Sequence, residues 1–397
     1  VGHLLLVRHR HGEPGDPEDP HRVECPVRGA RGDVERGVGP VRPAVLERGA
    51  VDDRGEAVRD RGADDCGERR RPALDLVFSD APIDLSNAPA DFVADLRYGD
   101  AERNLFDIYL PQCDDPTPLV IFVHGGGFTG GDKSSAHNNF GNQVVEFLQN
   151  CVAYATINYT LLEVPDADGD IEAAAAQGGV LPSLEDAARA LQFMRYHFES
   201  LNIEPENVAM YGVSAGAGAS LWLGTRDELA DAEAEDPILR ESTRIKAVGA
   251  LVTQSTYDII DWEEVLLPIT QPVEAILGGT DVVTLAETLG NTNYLLTFLG
   301  ITSIDQLDDP EQQEYRANID MLELMDAGDA PIYTENFTTS LENPLDLFLH
   351  HALHAIALKE RADEVGLESV GYSRDPAWPL EDPSGEGVVS FLMRHIM

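Results

Sequence analysis

Two short apolar runs in this chain each end in a glycine cluster, and that pairing restricts the fold more than any other feature. Leu119–Val123 leads into His124-Gly125-Gly126-Gly127-Phe128, and about ninety residues later Val208–Tyr211 leads into Gly212-Val213-Ser214-Ala215-Gly216. A short apolar run bounded by turn signals reads as a strand buried on both faces. Between the two, Leu184–Phe198 carries helical spacing in Ala187, Leu191, Met194 and Phe198. Strands that alternate with helices imply an α/β fold, a mainly parallel sheet with helices on both faces. A Gly-x-Ser-x-Gly turn from strand to helix exposes the serine hydroxyl, and an upstream glycine loop lets backbone N–H groups approach a developing oxyanion.

The remaining pattern extends that sheet. Asp95–Tyr98 and Asn104–Leu110 read as an opening strand pair that stops at Pro111, and Cys151–Asn158, Ala247–Thr253, Ala330–Phe337 and Ser369–Tyr372 read as further strands. Leu347–Val365 and Gly387–His395 have helical spacing. The stretch Asp258–Asp329 is helical in pattern and far too long for a plain connection, so residues 258–329 are expected to form a helical cap over the site.

Residues 1–71 behave differently. They contain no aromatic, Ser, Thr, Asn, Gln, Ile, Lys or Met residue, so they can hardly build a core. They read as a disordered extension or as translation of a GC-rich region out of its frame, and residues 72–397 as the catalytic domain. Of the 71 acidic and 28 basic residues, residues 1–71 hold 15 and 14, so residues 72–397 hold 56 against 14. A formal charge of −43 argues against nucleic acid as a partner and against anionic membrane surfaces. Lysine occurs only at Lys133, Lys246 and Lys359. Such a surface self-repels at low salt and is screened at molar salt, which suggests adaptation to a saline setting. The four cysteines, Cys25, Cys66, Cys113 and Cys151, form no C-x-x-C pair and are expected as free thiols. With no apolar stretch of spanning length, the chain reads as soluble and cytoplasmic, and a homo-oligomer is possible. No dinucleotide, P-loop or zinc pattern occurs, so neither cofactor nor metal is expected.

The chain resembles the α/β-hydrolases of the hormone-sensitive-lipase-like carboxylesterase group over about residues 90–397. The resemblance rests on His124–Phe128, Gly212–Gly216, Tyr98-Gly99-Asp100 with Leu105–Pro111, and Gly130-Gly131-Asp132-Lys133. It implies Ser214 as nucleophile, the N–H groups of Gly126, Gly127 and Ala215 as the oxyanion hole, and short- to medium-chain or aryl esters as small-molecule substrates. Chemistry agrees at Ala215, because free N–H groups at a helix start favour negative charge. His124 is expected to prop up its loop and not to act as base.

The general base is harder to place, because a serine needs an imidazole that a carboxylate orients. The family's usual place for it, the loop after the last strand, is here Ser373–Glu386 and holds no histidine. Downstream of Ser214 lie only His350, His351, His354 and His395. His395 closes the terminal helix, and His354, one turn into its helix, is expected to pack. His351 and His350 are therefore the expected bases. Asp346, within a turn of His350, is the expected acid, with helix capping as its alternative role and Asp258 and Asp375 as rivals. Two other readings stay open: a binding protein of the same fold whose catalysis has lapsed, and acyl transfer to an acceptor other than water.

Overall fold

A computed structural model describes residues 71–266, 281–337 and 348–397. Residues 1–70 of the extension, part of the expected cap and the candidate acid Asp346 lie outside the described residues. The structure is built on a ten-stranded sheet in the order β1-β2-β3-β5-β4-β6-β7-β8-β9-β10. Its strands are β1 Phe78–Ser79, β2 Ala90–Arg97, β3 Leu105–Pro111, β4 Thr117–Val123, β5 Ala153–Ile157, β6 Ile203–Val213, β7 Val248–Leu251, β8 Ile332–Asn336, β9 Ser369–Ser373 and β10 Leu380–Glu381. From β5 to β9 across the sheet, neighbours run parallel; β1, β2, β3 and β10 join antiparallel at the two edges.

Burial on both faces explains the strand sequences. Along β4, Leu119, Ile121 and Val123 pack into one core and Val120 and Phe122 into the other, all fully buried. Each such side chain contributes about 1.5–3 kcal/mol on leaving water. Around the sheet lie α1 Gly141–Gln149, α2 Leu181–Tyr196, α3 Ala215–Gly224, α4 Val282–Thr288, α5 Thr292–Leu299, α6 Pro310–Ile319, α7 Ala352–Val365 and α8 Val388–Ile396. Helices α4, α5 and α6 fall in the long segment between β7 and β8.

Three differences from the sequence pattern have physical causes. The helix expected over Leu347–Val365 is broken: Phe348–His350 are helical, His351 is extended at φ −61° and ψ 148°, and α7 starts at Ala352. There the ring nitrogen Nδ1 of His351 accepts a hydrogen bond from the Leu353 N–H at 3.1 Å and caps the helix. The edge strands β1 and β10, of two residues each, are too short to leave a periodic signal. Cys113 and Cys151 are not free thiols but a disulfide, since their Cα atoms stand 6.2 Å apart where β3 and β5 run antiparallel. Arg71 is part of the folded unit, donating to the Arg195 carbonyl at 2.9 Å and pairing with Glu241 at 2.9 Å. Among the described residues no helix is long and apolar enough to cross a membrane.

Candidate active site

Ser214 stands between the end of β6 and the start of α3 with φ 53° and ψ −122°, a region L-residues rarely occupy. Its N–H donates to the Leu251 carbonyl at 2.9 Å, and its own carbonyl accepts from Gly218 N–H at 3.1 Å, which holds the turn from both sides. The flanking glycines serve space more than backbone freedom. A Cβ on Gly216 would stand 2.0 Å from the Val123 carbonyl oxygen, and one on Gly212 would stand 2.4 Å from Gly216. The positive φ sits on the serine itself, which turns its Oγ outward.

The glycine loop after β4 needs its glycines for both reasons. Gly126 and Gly127 have φ of 125° and 59°, and a Cβ on Gly126 would press on the Gly130 carbonyl at 2.3 Å. Lys133 ties the loop down: its ammonium pairs with Asp107 at 2.7 Å and Asp95 at 2.9 Å, while its N–H donates to Asn158 Oδ1 at 2.6 Å. His124 stacks on Tyr159 with centroids 4.4 Å apart, and its Nδ1 meets the Gly125 carbonyl at 2.8 Å. Burial pushes its pKa down to about 4, so it is neutral at pH 7 and serves the loop as expected of it.

From the other side of the sheet edge, His350 brings its Nε2 to 2.8 Å from Ser214 Oγ. The neighbouring histidines are occupied elsewhere. His351, expected as an equal candidate, is instead the α7 cap; it packs edge-on to Trp378 at 6.0 Å, and burial lowers its pKa against the opposing charge of Asp375. His354 is fully buried between Ser255, whose N–H and hydroxyl lie 3.2 and 3.0 Å from Nδ1, and the Phe348 carbonyl, 2.8 Å from Nε2. Burial depresses its pKa to about 3.

The backbone that carries His350 is pinned by two residues the sequence did not single out. Asn336, at the end of β8 and fully buried, donates to the carbonyls of Thr253 at 2.9 Å, His351 at 3.0 Å and His350 at 3.4 Å. Gln254 donates to the Leu349 carbonyl at 2.7 Å. An amide buried at the carboxyl end of a parallel strand was the available signal, because such a group needs partners. Of the rival acids, Asp258 is engaged elsewhere: it caps Ile260 N–H at 3.2 Å and pairs with Arg316 at 2.7 Å. Asp375 accepts from Ala377 N–H at 2.8 Å beside His351.

Ser214, His350, Gly126, Gly127 and Ala215 open together into a cavity of about 540 Å³. Ile259, Trp262, Leu285, Leu289, Phe298 and Phe348 are among its walls, and no Asp, Glu, Lys or Arg is among the described residues that line it. Among the described residues no cluster of His, Cys, Asp and Glu is suited to hold a metal ion.

The BD-FAE family model matches residues 106–297, a span that contains the glycine loop, the Ser214 turn and helices α4 and most of α5. The probable isoprenylcysteine alpha-carbonyl methylesterase ICMEL1 of Arabidopsis thaliana is 26% identical over 157 residues, 39% of this chain and 29% of that protein. The isoprenylcysteine alpha-carbonyl methylesterase ICME of the same plant is 28% identical over 123 residues, 30% of this chain and 24% of that protein. The chain thus spans less than a third of the length of these relatives. Among solved structures, a truncated carbohydrate esterase from gut microbiota superposes with a TM-score of 0.53 at 14% identity, covering 78% of this chain and 98% of that one. A bifunctional GH43-CE protein of Bacteroides eggerthii gives 0.50 at 15% identity, covering 79% and 39%. These two are likenesses of fold.

Proposed function

We propose that the chain, whose residues 106–297 match the BD-FAE family model, is an α/β-hydrolase that hydrolyses uncharged carboxylic esters through an acyl-enzyme on Ser214. The observation that carries this reading is the 2.8 Å approach of His350 Nε2 to Ser214 Oγ at the mouth of an apolar cavity. In the proposed sequence the imidazole takes the serine proton as Oγ attacks the ester carbonyl. Backbone N–H groups of Gly126, Gly127 and Ala215 then meet the oxyanion. His350 returns the proton to the departing alcohol, and water, activated by the same imidazole, releases the acid. Asp346, four residues before His350, is the proposed orienting carboxylate. No cofactor enters this chemistry.

The substrate class follows from the walls. A cavity lined by aliphatic and aromatic side chains rewards an acyl or aryl group and offers little to a sugar ring, whose hydroxyls need partners. The segment 258–329 is the proposed cap that supplies much of that lining. The Cys113–Cys151 bond favours an oxidising compartment over the cytoplasm expected from sequence. The 2.8 Å approach of a histidine to the serine favours the enzyme over a binding protein with lapsed catalysis.

Turnover of p-nitrophenyl butyrate, together with fluorophosphonate labelling of wild type and Ser214→Ala, tests the proposal. Turnover and labelling that both vanish in a folded Ser214→Ala protein are expected. A folded wild type that is inert on several esters and unlabelled would sink it.

A further inference from the structure

The two groups proposed to donate from opposite sides of the oxyanion hole share a feature that nothing in the reaction requires. Gly127 and Ala215 each have their own carbonyl oxygen held by a tyrosine phenol. Tyr294, on α5, donates to the Gly127 carbonyl at 3.0 Å, and Tyr257, in the segment after β7, donates to the Ala215 carbonyl at 2.5 Å.

We infer that Tyr257 and Tyr294 are positioning residues that hold the peptide following each proposed donor, Gly127–Phe128 and Ala215–Gly216, and through that backbone fix the aim of the oxyanion-hole N–H groups.

Space has been made for the Tyr257 phenol. A Cβ on Gly218 would stand 2.2 Å from the Tyr257 oxygen, so a glycine in the first turn of α3 is what admits that ring. Tyr257 is fixed in turn by its N–H, which donates to the Ile319 carbonyl at 3.1 Å at the end of α6. Phe128, the residue after Gly127, packs edge-on to Tyr257 at 5.3 Å and to Phe298 at 6.0 Å; Phe298 meets Tyr257 at 5.8 Å and Tyr294 at 5.9 Å. The two phenols are thereby wedged by one aromatic cluster that joins the glycine loop to α5. Burial raises both phenol pKa values, so each stays a donor throughout the working pH range.

Gly127 has no side chain to restrain it and lies at φ 59°, so its ψ is set by where the next peptide is held, and the Tyr294 bond to its carbonyl holds that peptide. An oxyanion donor works only within a few tenths of an ångström of its target, and loss of one donor costs about 10²–10³ in kcat. A donor left in place but poorly aimed is expected to cost about tenfold, a fraction of that loss.

This inference rests on the ester-hydrolase reading, and the experiment separates the two. Tyr257→Phe and Tyr294→Phe keep the rings and remove only the hydroxyl. The full-length variants are compared with wild type in p-nitrophenyl butyrate kcat and KM, with active sites counted by fluorophosphonate endpoint titration. Inhibition by an alkyl trifluoromethyl ketone, which forms a hemiketal oxyanion on the serine, is compared with inhibition by the unfluorinated ketone. The expected result is a kcat about tenfold lower per variant with KM within twofold, and trifluoromethyl ketone affinity weakened by the same factor. Affinity for the unfluorinated ketone should not move. Variants that match wild type in kcat and in both affinities overturn the inference alone. So do variants in which both ketones weaken together, or which fail to fold, since each marks a packing role. A wild type that neither turns over nor labels overturns the ester-hydrolase reading and this inference with it.

Discussion

The hydroxyl of Ser214 and Nε2 of His350 meet at 2.8 Å across 136 residues of chain, whereas the next residue, His351, turns its Nδ1 to a backbone N–H of α7. Adjacent identical side chains therefore carry different burdens, and substitution should separate them. His350→Ala is expected to lower kcat by about 10³-fold or more with little change in melting temperature. His351→Ala should retain kcat within a few-fold and lose about 1 kcal/mol of stability with the helix cap. Kinetics and thermal melts on both variants decide it; the reverse pattern would move the base to His351.

His354 makes stability depend on pH. Its folded pKa of about 3 lies far below the ordinary 6.5, so the fold holds it neutral while the unfolded chain protonates it. The stability it confers is complete above about pH 6.5 and is lost as pH falls from there toward 3, at up to about 1.4 kcal/mol per pH unit. His124, at about 4, acts in the same direction. Melting temperature should drop between pH 7 and pH 5, and less steeply in His354→Gln. Equal slopes in wild type and variant would show that the imidazole is not the source.

The Cys113–Cys151 bond closes a sequence separation of 38 residues. On chain-entropy grounds such a closure is worth up to about 4 kcal/mol. A thiol titration under denaturing conditions should find two fewer free thiols than the cysteines present, and dithiothreitol or Cys113→Ser with Cys151→Ser should lower the melting temperature by several degrees. An unchanged melt under reduction would mean that the strand pairing alone holds β3 against β5.

Salt should stabilise the protein. With 56 acidic against 14 basic residues beyond position 71, self-repulsion falls as the screening length shrinks to roughly 3 Å near 1 M salt. Melting temperature and esterase activity are expected to rise from low salt to molar NaCl, and a monotonic fall in melting temperature would remove the idea.

Much of the central sheet was legible because its strands are buried on both faces and leave continuous apolar runs, as at Leu119–Val123. The serine turn was legible for a different reason. Gly212, Gly216 and Gly126 each occupy a place where one more carbon would collide with backbone, so the chain had no other residue to use there. The partner histidine was only half legible. His350, His351 and His354 share one helical pattern, and what separates them is the break at His351, where Asn336 holds the His350 and His351 carbonyls and Gln254 the Leu349 carbonyl. The disulfide left no trace in cysteine spacing, because its partners are brought together by the β3–β5 register, a pairing that involves no sequence neighbours.

The left-handed backbone at Ser214 has a consequence outside the reaction. Holding an L-residue at φ 53° and ψ −122° costs of order 1–3 kcal/mol, which glycine would largely escape. Position 214 is thus one where the chain would fold more firmly with glycine than with serine. A Ser214→Gly protein should melt above wild type while losing the proposed ester turnover, which would set the proposed chemistry of this position against the stability of the fold.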